Sequence, residues 1–99
     1  MGCVIANACA TEKEKQRTLI VEVDPNNIWG ENIANKFIDY VKYRQLVLKT
    51  QLIKKENLNN VICIKYITYN GTKIIYNGGD LYDSYFPELY KKIVILNDD

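Results

Sequence analysis

The chain has 99 residues, of which 47% are hydrophobic and 25% are charged, and its formal net charge is +1. A chain of this length accommodates one ordinary domain, and its composition is close to the globular average, which argues against disorder. There is no histidine, so the commonest general base, metal ligand and physiological pH switch is absent. No apolar run approaches the roughly 18 residues of a spanning helix, so we predict no transmembrane segment.

The N-terminal segment differs in composition from the chain that follows it. Residues 1–10 are mostly small and apolar, and the next seven alternate in charge sign. A secretory signal would need basic residues before a longer apolar run. We therefore predict an N-terminal arm over residues 1–16 and a single domain over residues 17–99.

Two features of this arm suggest covalent modification. Gly2-Cys3 is typical of dual acylation, although Ala6 stands where that pattern requires Ser or Thr. An acylated membrane-associated adaptor is therefore one alternative function. Cys3 and Cys9 could also form a disulfide with each other or with a second chain, and their spacing does not decide between these.

The first regular elements are a strand and a helix. Residues 18–23 (TLIVEV) are apolar and β-branched, which predicts a strand. Asp24 and Pro25 suit the N-cap and first turn of the helix that follows. Arg44 interrupts the apolar stripe of this helix, so we expect the helix to end near it. The stripe should pack on Ile20 or its strand neighbours, and its members are Trp29, Ile33, Phe37, Tyr40 and Val41.

The segment after this helix admits two interpretations. Leu46, Leu48 and Leu52 alternate with other residues at a period of two, which favours a strand over 46–53. The helix could instead continue to about Glu56, because no Gly or Pro interrupts it. We favour the strand.

The strongest local signal is Asn70-Gly71, which lies between the apolar and aromatic runs 61–69 and 72–76. This dipeptide is typical of a type I′ turn, in which both central residues have positive φ. The pattern predicts a β-hairpin. Cys63, between isoleucines in its first strand, is expected to be a buried small hydrophobe.

The C-terminal region is predicted to begin with a short helix capped by Asp83 or Ser84. Residues 93–96 could instead form a closing edge strand. The elements together predict an α+β fold in a single small domain. One main helix packs on a largely antiparallel sheet of three or four strands that includes the 61–76 hairpin.

No catalytic, metal or cofactor motif is recognisable. Ser84 is the only serine and has no histidine to activate it, and the cysteines form no C-x-x-C pair. Asp80 and Asp83 lack the ligand spacing of a calcium-binding loop. We therefore predict a non-enzymatic protein with no cofactor, no metal and no evident small-molecule substrate.

Tyrosine is unusually abundant, with eight residues. Its side chain offers a large contact area with a polar end, so it is favoured at protein interfaces and can also stack on nucleic-acid bases. A purely compositional explanation of the eight tyrosines is a bias toward A/T-rich codons, which also encode Ile, Asn and Lys. An exposed hairpin strand can also pair with another chain. We predict a protein that acts through protein–protein contacts as a homodimer, with interface residues Tyr66, Tyr69, Tyr76, Tyr82 and Tyr85.

Charge is segregated along the chain. Residues 36–55 hold six cations and one anion, a balance of +5, whereas the last twenty residues hold two cations and five anions, a balance of −3. The basic segment suggests, as a second alternative, a nucleic-acid-binding accessory protein, although strong binders are usually more basic overall. Its contact residues would be Lys42, Lys49, Lys54 and Lys55.

The abundance of Ile, Asn, Lys and Tyr in a small chain without recognisable motifs resembles the small orphan proteins of filamentous viruses of hyperthermophilic archaea. The resemblance is one of style and length, and it carries no site residue over. It would imply a viral accessory or structural protein, often dimeric, located in the host cytoplasm or the virion.

Overall fold

The computed structural model describes residues 17–97, so the predicted arm, with Gly2, Cys3 and Cys9, lies outside the described residues. The elements in chain order are β1 (Thr18–Val23), α1 (Ile28–Tyr43), β2 (Lys49–Lys54), β3 (Ile62–Thr68), β4 (Gly71–Gly78), a 3₁₀ turn (Asp83–Tyr85) and α2 (Phe86–Asn97).

The four strands form one mixed sheet in the order β2-β1-β3-β4. β1 and β2 are parallel, and α1 supplies the crossover that parallel neighbours need. The other two pairings, β1 with β3 and β3 with β4, are antiparallel. The predicted α+β fold, a helix on a largely antiparallel sheet, is confirmed, and β2 and β4 are the edge strands.

Both helices cover the same face of this sheet. The rings of Phe37 in α1 and Phe86 in α2 lie 5.1 Å apart, centroid to centroid. Alternation along the strands sends every second side chain to this face. The shared core includes Leu19, Val21, Val23, Ile62, Ile64 and Tyr66 from the sheet, Ile33, Phe37 and Val41 from α1, and Phe86, Leu89 and Ile93 from α2.

Trp29, which the sequence placed in this core, lies elsewhere, and of the two alternatives for β1 the strand neighbours of Ile20 are the ones in the core. Trp29 is 53% exposed, because the buried stripe of α1 runs through Gly30, Ala34 and Phe37. At about 100° per residue, Trp29 points roughly 110° away from the centre of that stripe. Ile20 alternates with its buried strand neighbours and faces the other side of the sheet.

The start of α1 differs from the prediction. Asn27, not Asp24, is the N-cap, and its Oδ1 accepts a hydrogen bond from the Gly30 N–H at 3.1 Å. Asp24 Oδ1 instead accepts from the Asn26 N–H at 2.9 Å. The Asp24 side chain therefore stabilises the turn that precedes the helix.

The end of α1 near Arg44 is confirmed, since Arg44 is the C-cap. Gln45 has a φ of 54°, and its N–H donates to the Lys42 carbonyl at 2.9 Å. The Leu46 N–H reaches back to the Val41 carbonyl at 3.4 Å. This pair of bonds is a Schellman motif, which ends a helix without a proline.

The interpretation of 46–53 as a strand is confirmed with later bounds, and the alternative helix reaching Glu56 is wrong. β2 pairs in parallel with β1 from Lys49 to Lys54. It starts late because the preceding residues close the turn, where the Leu48 N–H donates to the Arg17 carbonyl at 3.0 Å.

The β3–β4 hairpin is confirmed, but its turn lies one residue earlier than predicted. Thr68 pairs with Gly71, which leaves Tyr69 and Asn70 at the centre. Gly71 has the expected positive φ of 118°, whereas Asn70 does not have positive φ, so the type I′ prediction is wrong. The Thr68 hydroxyl stabilises the turn by accepting from the Asn70 N–H at 3.1 Å and donating to the Gly71 carbonyl at 3.0 Å.

The C-terminal segment is a helix of 12 residues, longer than predicted. The alternative edge strand over 93–96 is wrong, because Ile93 belongs to the buried face of α2. Neither Asp83 nor Ser84 is an N-cap. They lie within the 3₁₀ turn, whose N-cap residue, Tyr82, makes no side-chain capping hydrogen bond.

Candidate interaction surface

α2 runs along the β4 edge in the opposite direction to the strand. Tyr76, late in β4, lies beside the start of the helix, whereas Lys73 and Ile74, early in β4, lie beside its end. Two adjoining grooves result, and Lys92 lines both. We call this region the β4–α2 surface; its residues are Lys73, Ile74, Tyr76, Tyr82, Tyr85, Glu88, Lys92 and Ile95.

The aromatic end of this surface is a cluster of three tyrosines. The ring of Tyr85 lies 6.2 Å from that of Tyr76 and 5.6 Å from that of Tyr82, within the range of favourable ring contacts. Tyr82 and Tyr85 are exposed, and Tyr76 is partly buried beneath them. The adjoining groove reaches the first turns of α2 at Glu88 and Leu89.

The Tyr76 hydroxyl is held neutral. It donates a hydrogen bond to the Asp80 carbonyl. Burial raises the pKa of Tyr76, and the nearby Tyr85, Asp80 and Tyr82 raise it further. Tyr76 therefore adds apolar ring surface with an uncharged polar end to the cluster, and tyrosine rings of this kind are suited to contact with another protein.

The aliphatic end of the surface contains two of the most exposed isoleucines among the described residues. Ile74 in β4 is 60% exposed and Ile95 in α2 is 65% exposed. Both line the second groove, together with Lys73, Ile75, Lys92 and Leu96. Ile74 pairs with Lys65 and also lines the hollow around Cys63 on the sheet face away from the helices. It therefore lies at the edge of the sheet, between this groove and that hollow, whereas Ile95 lies on the α2 side.

The β4 edge itself is not well suited to adding another strand. The β3–β4 register shifts between Ile64 and Lys65, which leaves Ile75 without a partner on β3. The Lys92 Nζ donates to the Ile75 carbonyl at 3.3 Å. Irregular pairing and a lysine at an edge both hinder strand addition, so this side of the molecule offers side chains rather than free backbone.

Charges are distributed unequally along the surface. Three exposed carboxylates, those of Asp80, Asp83 and Glu88, lie at or beside the aromatic end. Lys73 lies at the aliphatic end and Lys92 lies where the two grooves meet. The ion pairs between described residues involve none of these five groups. Among residues 17–97 the acidic groups therefore lie at the aromatic end and Lys73 at the aliphatic end, while Asp98 and Asp99, which follow Asn97 in the sequence, lie outside the described residues.

The structure brings together three of the five predicted interface tyrosines. Tyr76, Tyr82 and Tyr85 form the cluster described above, and Tyr69 is exposed in the hairpin turn, outside both grooves. Tyr66 is fully buried and donates a hydrogen bond to Asn97, so its assignment to a contact surface is wrong. Its side chain lies on the face that both helices cover.

Ile74 and Ile95 were not predicted. In a strand, two adjacent isoleucines such as Ile74 and Ile75 should face opposite sides of the sheet, so one of them had to be outside the core. That signal was present in the sequence. The exposure of Ile95, by contrast, depends on how α2 is rotated against β4.

The four lysines of the predicted nucleic-acid site are exposed but do not form one patch. Lys42 lies in the last turn of α1, while Lys49 and Lys54 lie at opposite ends of β2. A strand of that length separates its ends by roughly 17 Å. Lys54 also forms an ion pair with Glu31 at 3.1 Å, and Lys55 follows the strand.

On the opposite face of the sheet lies a polar hollow around Cys63. Lys65 Nζ is 3.2 Å from Glu22 Oε1, and the segment containing Asn59 and Asn60 lines one side. Cys63 is buried, as predicted. Burial raises the pKa of its thiol and Glu22 raises it further, while Lys65 acts in the opposite direction. The thiol is thus protonated near neutrality and is a poor nucleophile.

Within the described part of the chain, no three His, Cys, Asp or Glu side chains are grouped so that they could hold a metal ion. No helix among residues 17–97 is long and apolar enough to cross a membrane. A comparison with known protein families, curated proteins and solved structures finds no match. The proposal below therefore rests on the β4–α2 surface.

Proposed function

We propose that this is a non-enzymatic protein that acts through protein–protein contacts and forms a homodimer through the β4–α2 surface. The observation that carries the proposal is the exposure of Tyr85 and Ile95 along the two grooves between β4 and α2, with Tyr82 packed against Tyr85 and Ile74 exposed at the strand edge. Exposed aliphatic and aromatic side chains rimmed by charges are typical of protein contact sites.

The energetics favour contact through side chains. Full burial of a large apolar side chain contributes roughly 1.5–3 kcal/mol. These side chains are about half exposed, so the two isoleucines and two tyrosines of both copies together would contribute an amount comparable to the association cost of about 4–15 kcal/mol. Because the β4 edge is irregular and its Ile75 carbonyl is occupied by Lys92, affinity would come from this burial rather than from an extended sheet.

Mass measurements across a concentration series test the proposal. Light scattering or sedimentation equilibrium on the full chain should give twice the monomer mass at high concentration. Ile74→Asp and Ile95→Asp should each shift the equilibrium toward monomer, because a charge would be desolvated in the contact. Ile28→Asp is the matched control, since Ile28 is 75% exposed at the first residue of α1 and lines neither groove.

Two results would contradict the proposal. One is a wild-type protein that remains monomeric from micromolar to millimolar concentration; the other is an Ile28→Asp variant that dissociates as readily as the surface variants. Monomeric protein with tight, salt-sensitive DNA binding would instead support the nucleic-acid alternative, because phosphate contacts weaken steeply as salt rises.

A further inference from the structure

The groove at the aromatic end of the β4–α2 surface, which we call the tyrosine groove, is lined by Tyr76, Tyr85, Glu88, Leu89 and Lys92. We propose that this groove binds a proline-rich segment of a partner protein, with basic residues beside the prolines. The segment would lie across the exposed tyrosines in the polyproline II conformation. The site occupies only the aromatic end of the surface, and it does not require two copies of the chain.

The lining of the groove favours this mode of recognition over two others. A peptide can bind as an added strand, as a helix in an apolar groove, or as a polyproline II segment against aromatic rings. Strand addition is disfavoured, because β4 is irregular at Ile75, whose carbonyl accepts from Lys92. A helix would need a row of aliphatic side chains, whereas Leu89 is the one aliphatic residue that lines this groove. Aromatic rings with polar neighbours suit a polyproline II segment.

The tyrosines supply ring surface against which proline rings can pack. The ring of Tyr85 contacts that of Tyr76 at 6.2 Å and that of Tyr82 at 5.6 Å, centroid to centroid. Tyr82 and Tyr85 are 47% and 40% exposed, so part of each ring faces solvent. Because the rings pack on one another, they lose little conformational freedom when a ligand binds. A polyproline II segment also loses little, since its conformation is preformed.

The tyrosine hydroxyls can bind the backbone of such a segment. A polyproline II chain has no internal hydrogen bonds, so its carbonyls remain available as acceptors. The side-chain hydroxyls of Tyr82 and Tyr85 make no hydrogen bond to another residue in the described part of the chain. Both can therefore donate to the carbonyls of the ligand. The Tyr76 hydroxyl instead donates to the Asp80 carbonyl, so Tyr76 contributes its ring.

The charges beside the groove favour basic residues in the ligand. Asp80, Asp83 and Glu88 are exposed, and none of them forms an ion pair with a described residue. Lys92 lines the far end of the groove, where its ammonium group donates to the Ile75 carbonyl. An arginine or lysine beside the prolines would therefore meet carboxylates close to the exposed tyrosines, which improves both affinity and orientation.

Peptide titration followed by heteronuclear NMR tests the proposal on the full chain. The probe is a synthetic peptide of seven prolines preceded by two arginines, which spans roughly 28 Å in the polyproline II conformation. The protein is held at a concentration that gives the monomer mass in light scattering, because a second copy would compete for Tyr82 and Tyr85. We expect saturable shifts centred on the amides of Tyr82, Tyr85 and Glu88.

Variants separate the contributions of ring, hydroxyl and charge. Tyr85→Ala removes the central ring and should raise the Kd of the probe about tenfold or more. Tyr85→Phe keeps the ring and should raise the Kd about threefold, through the loss of one hydrogen bond. Glu88→Gln should raise it about twofold at low salt and have no effect near about 1 M salt. Tyr43→Ala is the matched control and should leave the Kd unchanged, because Tyr43 is 86% exposed in α1 and lines neither groove.

Two control peptides distinguish this site from simple charge attraction. One keeps the arginines and replaces the prolines with alternating glycine and serine; the other keeps the prolines and replaces the arginines with glutamates. Both should bind about tenfold more weakly than the probe. Equal binding of the glycine–serine peptide, no saturable shift at millimolar probe, or shifts centred away from the tyrosine groove would each overturn the proposal. The dimer is tested separately, by the mass of the protein without peptide, so either proposal can fail alone.

Discussion

The hydroxyl of Tyr66, fully buried in β3, donates a 2.6 Å hydrogen bond to Oδ1 of Asn97, the last residue of α2. The Nδ2 of Asn97 donates in turn to the Leu46 carbonyl at 3.2 Å. One amide side chain thus joins the sheet, the end of α2 and the segment that follows α1. Since α2 forms one side of the β4–α2 surface, this bond helps to set the position of the surface.

Removing that hydrogen bond should lower stability moderately. Tyr66→Phe keeps the ring in the core and deletes only the donor, so we expect a loss of about 1 kcal/mol in the free energy of unfolding. Denaturant unfolding of wild type, Tyr66→Phe, Asn97→Ala and the double variant would measure the coupling between the two residues. Strictly additive losses would contradict a direct bond.

Alkaline pH should weaken the fold partly through the same residue. Burial raises the pKa of the Tyr66 hydroxyl above its usual value of 10.0 and outweighs the hydrogen bond to Asn97 and the charge of Arg17, which both lower it. The folded protein therefore holds this proton where the unfolded chain has lost it. The resulting stability is fully present below the unfolded pKa and is lost as pH rises through the folded pKa. Unfolding measured from about pH 8 to about pH 11 should show a shallower decline in Tyr66→Phe than in wild type. Equal declines would exclude a contribution from Tyr66.

Truncation of the central aromatic residue of α1 should be severe. Phe37 is fully buried against Phe86, with the ring of Tyr40 stacked beside it. Phe37→Ala should cost roughly 3–5 kcal/mol, from lost burial and the cavity that remains. Trp29→Ala is the control, and we expect a loss below about 1 kcal/mol because most surface substitutions have small effects. Similar losses in the two variants would contradict the observed orientation of α1, in which Phe37 is buried and Trp29 is exposed.

The hairpin turn has room for a side chain at Gly71, but the backbone conformation of Gly71 is one that other residues rarely adopt. A Cβ at Gly71 would meet nothing within 4 Å, yet its φ is +118°. Gly71→Val should therefore destabilise the protein by about 1–3 kcal/mol through backbone strain. Gly79→Ala is the matched control, because its Cβ would make an ordinary 3.9 Å contact with Val61 Cγ2. A Gly71→Val variant as stable as wild type would exclude backbone strain at this position.

Cys63 should react slowly with thiol reagents in the folded state. Its side chain is buried and burial raises its pKa, so little thiolate is accessible near neutrality. Peptide mapping after alkylation of a Cys3→Ser, Cys9→Ser variant should show slow labelling of Cys63 that accelerates in denaturant. Labelling at the rate of an unstructured cysteine peptide would contradict its burial.

Much of the local structure could be predicted because neighbouring residues determine it. The β-branched run of β1, the positive φ at Gly71 and the end of α1 near Arg44 all depend on nearby sequence. The predictions failed where a sequence pattern was compatible with more than one orientation of the helix or strand. Helical spacing included Trp29 in the stripe, but the side of α1 that contacts the sheet depends on packing.

The candidate surface was predictable only in part. Tyr76, Tyr82 and Tyr85 were identified from composition and from their position along and after the hairpin. Tyr66 was misassigned because alternation tells which residues share a face but not which face the helices cover. Ile95 lies in an apolar run that was compatible with either a strand or a helix.

The sequence by itself determined a single α+β domain without histidine chemistry, the first strand, the main helix, the hairpin and the abundance of contact-forming tyrosines. Only the tertiary structure decided which of these side chains lie together. Tyr85 lies 6.2 Å from Tyr76 because α2 folds back along the β4 edge, and the bond between Tyr66 and Asn97 helps to hold it there. The physical reason is that periodicity records the amphipathic character of each element. The neighbours that an element acquires depend instead on burial and hydrogen bonding between residues far apart in the chain.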